Sequence, residues 1–152
     1  MNVVALAGGT GGATLADGLQ AVLPPGVLTV IVIGPSNPIV SIGPILAGPI
    51  RGLIETRARD GIPIVAVSPI VGGVALKGPA DRMLVSLGHE SSALGVARLY
   101  QGLASVFVLD AIDRGLETEI AALGMRAVAA DTVMADAAGR ARVARTVLEA
   151  TS

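Results

Sequence analysis

The chain has 152 residues, enough for one domain with a buried core, and a formal net charge of −1. Charged residues make up 15% and aromatic residues 1%, with no basic block, so neither a phosphate-tracking stripe nor a set of base-stacking platforms is available and nucleic acid is excluded as a partner. Cysteine is absent, which removes disulfides, thiolate metal sites and cysteine nucleophiles.

Mean hydropathy is +0.72, and residues 18–50 carry no charge. That stretch is interrupted by Pro24, Pro25, Pro35, Pro38, Pro44 and Pro49, so its unbroken apolar runs fall short of a spanning helix. We read the apolar excess as buried parallel strands in a soluble single domain with no membrane partner. The N-terminus enters a strand-like run without a basic leader, which predicts a cytoplasmic location.

In chain order, Val3–Ala7 predicts the first strand and Gly12–Leu23 the first helix. Between them, Gly8-Gly9-Thr10-Gly11-Gly12 lets backbone N–H groups approach an anion at a helix start. A tight strand–helix turn is the alternative. Ala13-Thr14 stands where a Walker loop needs Lys-Ser/Thr, and no acid occurs between Asp17 and Glu55 to take a ribose, so NAD is disfavoured.

Leu28–Ile33 predicts the second strand, followed by Gly34-Pro-Ser-Asn-Pro38. Its prolines hold Ser36 and Asn37 in place, where they suit phosphate oxygens or cap their own backbone. Ile45–Arg59 predicts the second helix, with Pro49 blurring its start. Ile62–Val67 predicts the third strand, and the loop from Ser68 to Asp81 follows. Lys77, the only lysine, lies there beside glycines and either neutralises a phosphate or is simply solvated. Asp81 complements the dipole of the third helix, Ala80–Leu87. Pro79 suits that helix's first turn and Gly88 its stop.

Ser92–Leu103 predicts a helix on which Arg98 and Tyr100 could reach a ligand, Arg98 being as easily a surface charge. His89, the only histidine, is read as structural or exposed rather than as a general base. Val106–Leu109 and Ala127–Ala130 predict the last two strands, with Arg114–Leu123 and Asp136–Ala150 as helices. Asp110 and Asp131 are the acids at strand ends, able to carry a metal ion or to cap a helix. The alternation predicts an α/β fold, a Rossmann-like three-layer sandwich of about five mostly parallel strands. The polar loops would lie at the carboxyl ends of the strands.

The blocks Gly8-Gly-Thr-Gly-Gly-Ala13, Ile33-Gly-Pro-Ser-Asn-Pro-Ile-Val-Ser-Ile-Gly-Pro-Ile-Leu46, Val67-Ser-Pro-Ile-Val-Gly-Gly73, Lys77-Gly-Pro-Ala-Asp-Arg-Met83 and Gly95-Val-Ala-Arg-Leu-Tyr100 resemble the 2-phospho-L-lactate transferase family. The resemblance continues through Gly124-Met-Arg126 and Asp131-Thr-Val-Met134. It implies transfer of a phospholactyl or phosphoenolpyruvyl group from a guanosine diphosphate-linked donor to a deazariboflavin acceptor, with GMP released and magnesium required. It implies a homodimer as well. The nucleotide-binding candidates are Gly9, Thr10, Gly11, Gly12, Ser36, Asn37, Ser68, Gly72, Gly73, Lys77, Gly78 and Asp81; no catalytic residue or metal ligand is assigned.

Members of that family are longer and carry an Asn-Thr-Gly-Asp-Asp-type motif near the end of their second strand, with acids associated with metal and acceptor binding. Here Leu28-Thr-Val-Ile-Val-Ile33 runs directly into Gly34, as if an internal segment were missing. Two other readings therefore stand beside transfer: a minimal nucleotide-binding domain without turnover, and an unrelated nucleotide or nucleotide-sugar binder.

Overall fold

The protein is described by a computed structural model covering residues 2–8, 15 and 29–152. Strands β1 (Asn2–Leu6), β2 (Thr29–Ile33), β3 (Ile64–Val67), β6 (Val106–Asp110) and β7 (Arg126–Ala130) form one sheet in the order β1-β2-β3-β6-β7, every pair parallel. Between β3 and β6, β4 (Ile70–Val71) and β5 (Val74–Ala75) form a separate antiparallel hairpin. The helices are α1 (Gly43–Leu46), α2 (Ile50–Arg59), α3 (Ala80–Ser86), α4 (Ala93–Leu99), α5 (Glu117–Ala122) and α6 (Ala137–Glu149).

Side-chain alternation divides the core in two. Ile31, Ile33, Ile64, Ala66, Phe107 and Leu109 point to one face, where they pack with Ile54 of α2, Leu84 of α3, Val96 of α4 and Ile120 of α5. Val30, Val32, Val65, Val67, Val106 and Val108 point to the other, against Val143, Ala144 and Val147 of α6 and against Leu15. Because both faces are covered, the central strands are apolar along their whole length, as parallel strands must be. The result is the Rossmann-like three-layer sandwich that the alternation of elements predicts. Among the described residues, no single helix is long and apolar enough to cross a membrane.

Several boundaries differ from the sequence reading. The helix expected over Ile45–Arg59 is broken: a π-helical turn, Pro38–Ile42, leads into α1, and α2 starts afresh after Pro49, bent by 78° from the preceding pair of turns. Proline lacks the N–H that a continuous helix needs, and its ring clashes with the preceding turn. The helix expected from Arg114 starts earlier, as a 3-10 helix over Ala111–Leu116, because the Asp110 carboxylate caps Ile112 N–H at 3.0 Å. The helix expected to reach Leu103 ends at Leu99, with Ser92 as its N-cap. Of the expected Gly12–Leu23 helix, only Leu15 lies among the described residues, where it is helical and buried; Leu28 lies outside them.

Candidate functional site

The parallel strands bring the ends of β1, β2, β3 and β7 to one edge of the sheet, where a pocket of about 550 Å³ opens between their loops. This is the crevice outside the carboxyl ends of the strands in which open α/β sheets bind ligands, and its size is that of a small-molecule site. Gly8, Ser36, Asn37, Ser68, Lys77 and Gly78 line it on the polar side, while Val40, Val71, Leu76, Val133 and Met134 supply apolar wall.

The loops are joined by their own side chains. Ser36 is buried, and its hydroxyl accepts a hydrogen bond from Gly8 N–H at 3.0 Å, which ties the β2 loop to the β1 loop. Asn37 caps the π-helical turn: its Oδ1 accepts from Ile39 N–H at 2.9 Å and Val40 N–H at 3.2 Å. Its amide nitrogen lies 3.2 Å from Met83 Sδ on α3. Ser68, also buried, turns on itself, donating to Ile70 C=O at 2.8 Å and accepting from Ile70 N–H at 3.1 Å. All three polar side chains therefore shape the backbone that faces the pocket. The alternative reading of Asn37 as a cap of its own chain is what the geometry displays.

The remaining candidates separate. Lys77 and Gly78 border the pocket, and Lys77 is the one charged side chain among its described lining residues. Gly72 and Gly73 do not line it. They form the two-residue turn of the β4–β5 hairpin, with φ of 57° and 85°, the left-handed pair that a tight hairpin demands. Gly72 N–H donates to Asp113 Oδ2 at 2.9 Å, and Gly73 C=O accepts from the Ser91 hydroxyl at 2.8 Å. Gly73 and Asp81 border a second, shallower cleft instead. Gly9, Thr10, Gly11 and Gly12 lie outside the described residues.

Arg98 and Tyr100 do not reach the pocket. Arg98 pairs with Glu90 at 2.9 Å on the surface, and Tyr100 is sealed in the core with no partner for its hydroxyl among the described residues. Burial pushes the Tyr100 phenol well above its ordinary pKa. His89 is exposed and lines neither cleft.

Residues 132–135 form a pocket wall that the loop motifs did not point to. The signal was partly present, since Asp131 stands at a strand end and Asp131-Thr-Val-Met134 belongs to the recurring blocks. Asp131 itself pairs with Arg142 at 2.8 Å and accepts from Val133 N–H at 3.2 Å. Asp110 is buried and accepts from Ile112 N–H, Thr132 N–H and the Thr132 hydroxyl at 3.0, 2.9 and 2.9 Å. Burial alone would raise its pKa; these bonds and the nearby Arg142 charge outweigh that and hold it below the usual carboxylate range. Both acids are thus engaged by the protein, and no group of three or more metal-ligating side chains occurs among the described residues.

No family model matches the chain. It is 44% identical over 137 residues to the phosphoenolpyruvate transferase of Streptomyces griseus, an alignment that takes in 86% of this chain and 42% of that protein. It is 46% identical over 104 residues to the 2-phospho-L-lactate transferase of Methanosarcina acetivorans, across 68% of this chain and 33% of that one. With the 2-phospho-L-lactate transferase of Methanocaldococcus jannaschii it shares 34% identity over 120 residues, across 78% and 36% of the two chains. The chain belongs to the family of 2-phospho-L-lactate and phosphoenolpyruvate transferases, and spans 32–42% of the length of the curated relatives at 40–46% identity.

Proposed function

We propose that the pocket holds the guanosine-phosphate part of a transferase donor and that the chain carries the donor half of a phospholactyl or phosphoenolpyruvyl transfer site. One observation carries this reading: the loops after β1, β2 and β3 converge on a single pocket bordered by backbone, hydroxyls and Lys77. Such a rim suits phosphate oxygens, and the apolar wall suits a nucleoside. In the reaction, the terminal hydroxyl of a deazariboflavin acceptor attacks the phosphorus of the phospholactyl group. The P–O bond to GMP breaks, GMP leaves with the electron pair, and the hydroxyl proton passes to water. Chemistry of this kind depends on positioning and charge neutralisation rather than on a side-chain nucleophile.

The described residues do not fit a resident magnesium. The described pocket lining contains no carboxylate, Asp110 already accepts three hydrogen bonds from the protein, and Asp131 is paired with Arg142. We assign no step to a protein-bound metal; magnesium enters this reading only as an ion accompanying the ligand's phosphates. The lack of carboxylates among the described lining residues favours a second reading, a binding module without turnover.

Calorimetric titration with GDP, with and without magnesium, tests the site, and GMP release from the guanosine-linked donor tests the reaction. GDP binding that weakens about tenfold in Lys77→Ala, loss of one charge-assisted contact, is the expected result. Binding without GMP release leaves the module; preference for a UDP-sugar over GDP, or no GDP binding at all, overturns the reading. Light scattering after size exclusion reads out the homodimer that the family resemblance implies.

A further inference from the structure

Asp110 ends β6, buried between the loops of two neighbouring strands. Its Oδ2 accepts both the N–H and the hydroxyl of Thr132, each at 2.9 Å, and Thr132 opens the wall formed by residues 132–135. Its Oδ1 accepts Ile112 N–H at 3.0 Å, which fixes the 3-10 turn from which Asp113 holds Gly72 of the β4–β5 hairpin. That hairpin leads directly into Leu76 and Lys77 on another side of the pocket. From the far side, Arg142 of α6 donates to the carbonyls of Val133 at 2.9 Å and Asp131 at 3.3 Å. The 132–135 wall is thus held on its N–H side by a buried anion and on its carbonyl side by a cation.

Burying a carboxylate is costly unless all its acceptor capacity is used, and an apolar residue would fill a strand end at lower cost. What the carboxylate provides is directional: one side chain fixes three donors on two segments at once. We propose that Asp110 is the positioning residue of the pocket, setting the 132–135 wall and, through the Ala111–Leu116 turn, the hairpin side at the separation a nucleotide requires. This rests on the reading of the pocket as a guanosine-phosphate site.

The test pairs two measurements on the same full-length samples: amide hydrogen exchange of residues 132–135 without ligand, and calorimetric titration with GDP. In Asp110→Asn, whichever way the amide turns, its nitrogen meets a donor N–H. Exchange at 132–135 should rise and GDP affinity fall at least tenfold while the sheet signal in circular dichroism is unchanged. Thr132→Ser keeps both bonds to Asp110, so exchange at 132–135 should stay as in the unaltered protein. Thr132→Val loses only the hydroxyl bond and should fall between them; it carries the comparison if Asp110→Asn does not fold. Faster exchange with unchanged GDP affinity would reduce Asp110 to a stability role and overturn the proposal, as would unchanged exchange. If the unaltered protein binds no GDP, the guanosine reading fails by itself, and the exchange comparison still decides whether Asp110 sets the wall.

Discussion

Ser36 and Gly8, 28 residues apart, meet where the loops after β2 and β1 touch: the serine hydroxyl accepts the glycine N–H at 3.0 Å inside the protein. The approach leaves no room for a side chain at residue 8, where an added Cβ would lie 2.6 Å from the Ser41 Cβ. Ser36→Ala takes this partner from the part-buried Gly8 N–H and should cost about 1 kcal/mol. Gly8→Ala should destabilise at least as much, because the Ser41 Cβ is fixed to the backbone and cannot swing aside. Urea unfolding of the two variants checks both, and a loss under 0.5 kcal/mol in each would mean that the two loops are not coupled.

Asn37 satisfies two N–H groups at the start of the π-helical turn. Asn37→Ala should destabilise by about 1 kcal/mol, as the loss of an N-cap does. Because Val40 and Ser41 on that turn line the pocket, GDP binding should weaken in parallel. Unchanged GDP affinity alongside the stability loss would mark the loop as a turn and nothing more.

Tyr100 buries a hydroxyl that finds no partner among the described residues. Phenylalanine would keep the ring contacts and remove the desolvation cost, so Tyr100→Phe should raise stability by about 1 kcal/mol. A fall of similar size in the urea midpoint analysis would reveal a hydrogen bond at that hydroxyl.

Asp110 also sets part of the acid sensitivity. Its folded pKa lies below the unfolded value of about 3.9. The stability it contributes is therefore complete above the unfolded pKa and is lost as pH falls through the folded one. Below about pH 4 the unaltered protein should lose stability more steeply than Asp110→Asn, and from pH 5 to 8 the two curves should run parallel. Equal slopes in acid, read from thermal melts at each pH, would show that the carboxylate gains nothing from its three donors.

The strands were legible because short apolar, β-branched runs are local patterns; in Val30-Ile-Val-Ile33 successive side chains divide between the two faces. The β4–β5 hairpin was hidden because its strands are two residues each, too short for any periodicity; the Gly72-Gly73 pair marking its turn read equally well as a phosphate loop. The break before α2 was signalled by Pro49, but the signal carried no direction, and the 78° bend appears only in three dimensions.

Leu15 adds a topological point. The sheet runs β1-β2-β3-β6-β7 in one direction, and α2, α3, α4 and α5 all pack on one face, yet Leu15 packs on the other.

The sequence by itself determined the layers, the parallel sheet, the family and the edge at which polar loops gather, since all of these follow from local pattern and recurring blocks. Only the tertiary structure decided which partners the polar groups around the pocket take. Hydrogen-bond partners distant in the chain engage Ser36 with Gly8 and Asp110 with Thr132, and it is those pairings that turn residues read as ligand contacts or metal ligands into the frame of the pocket.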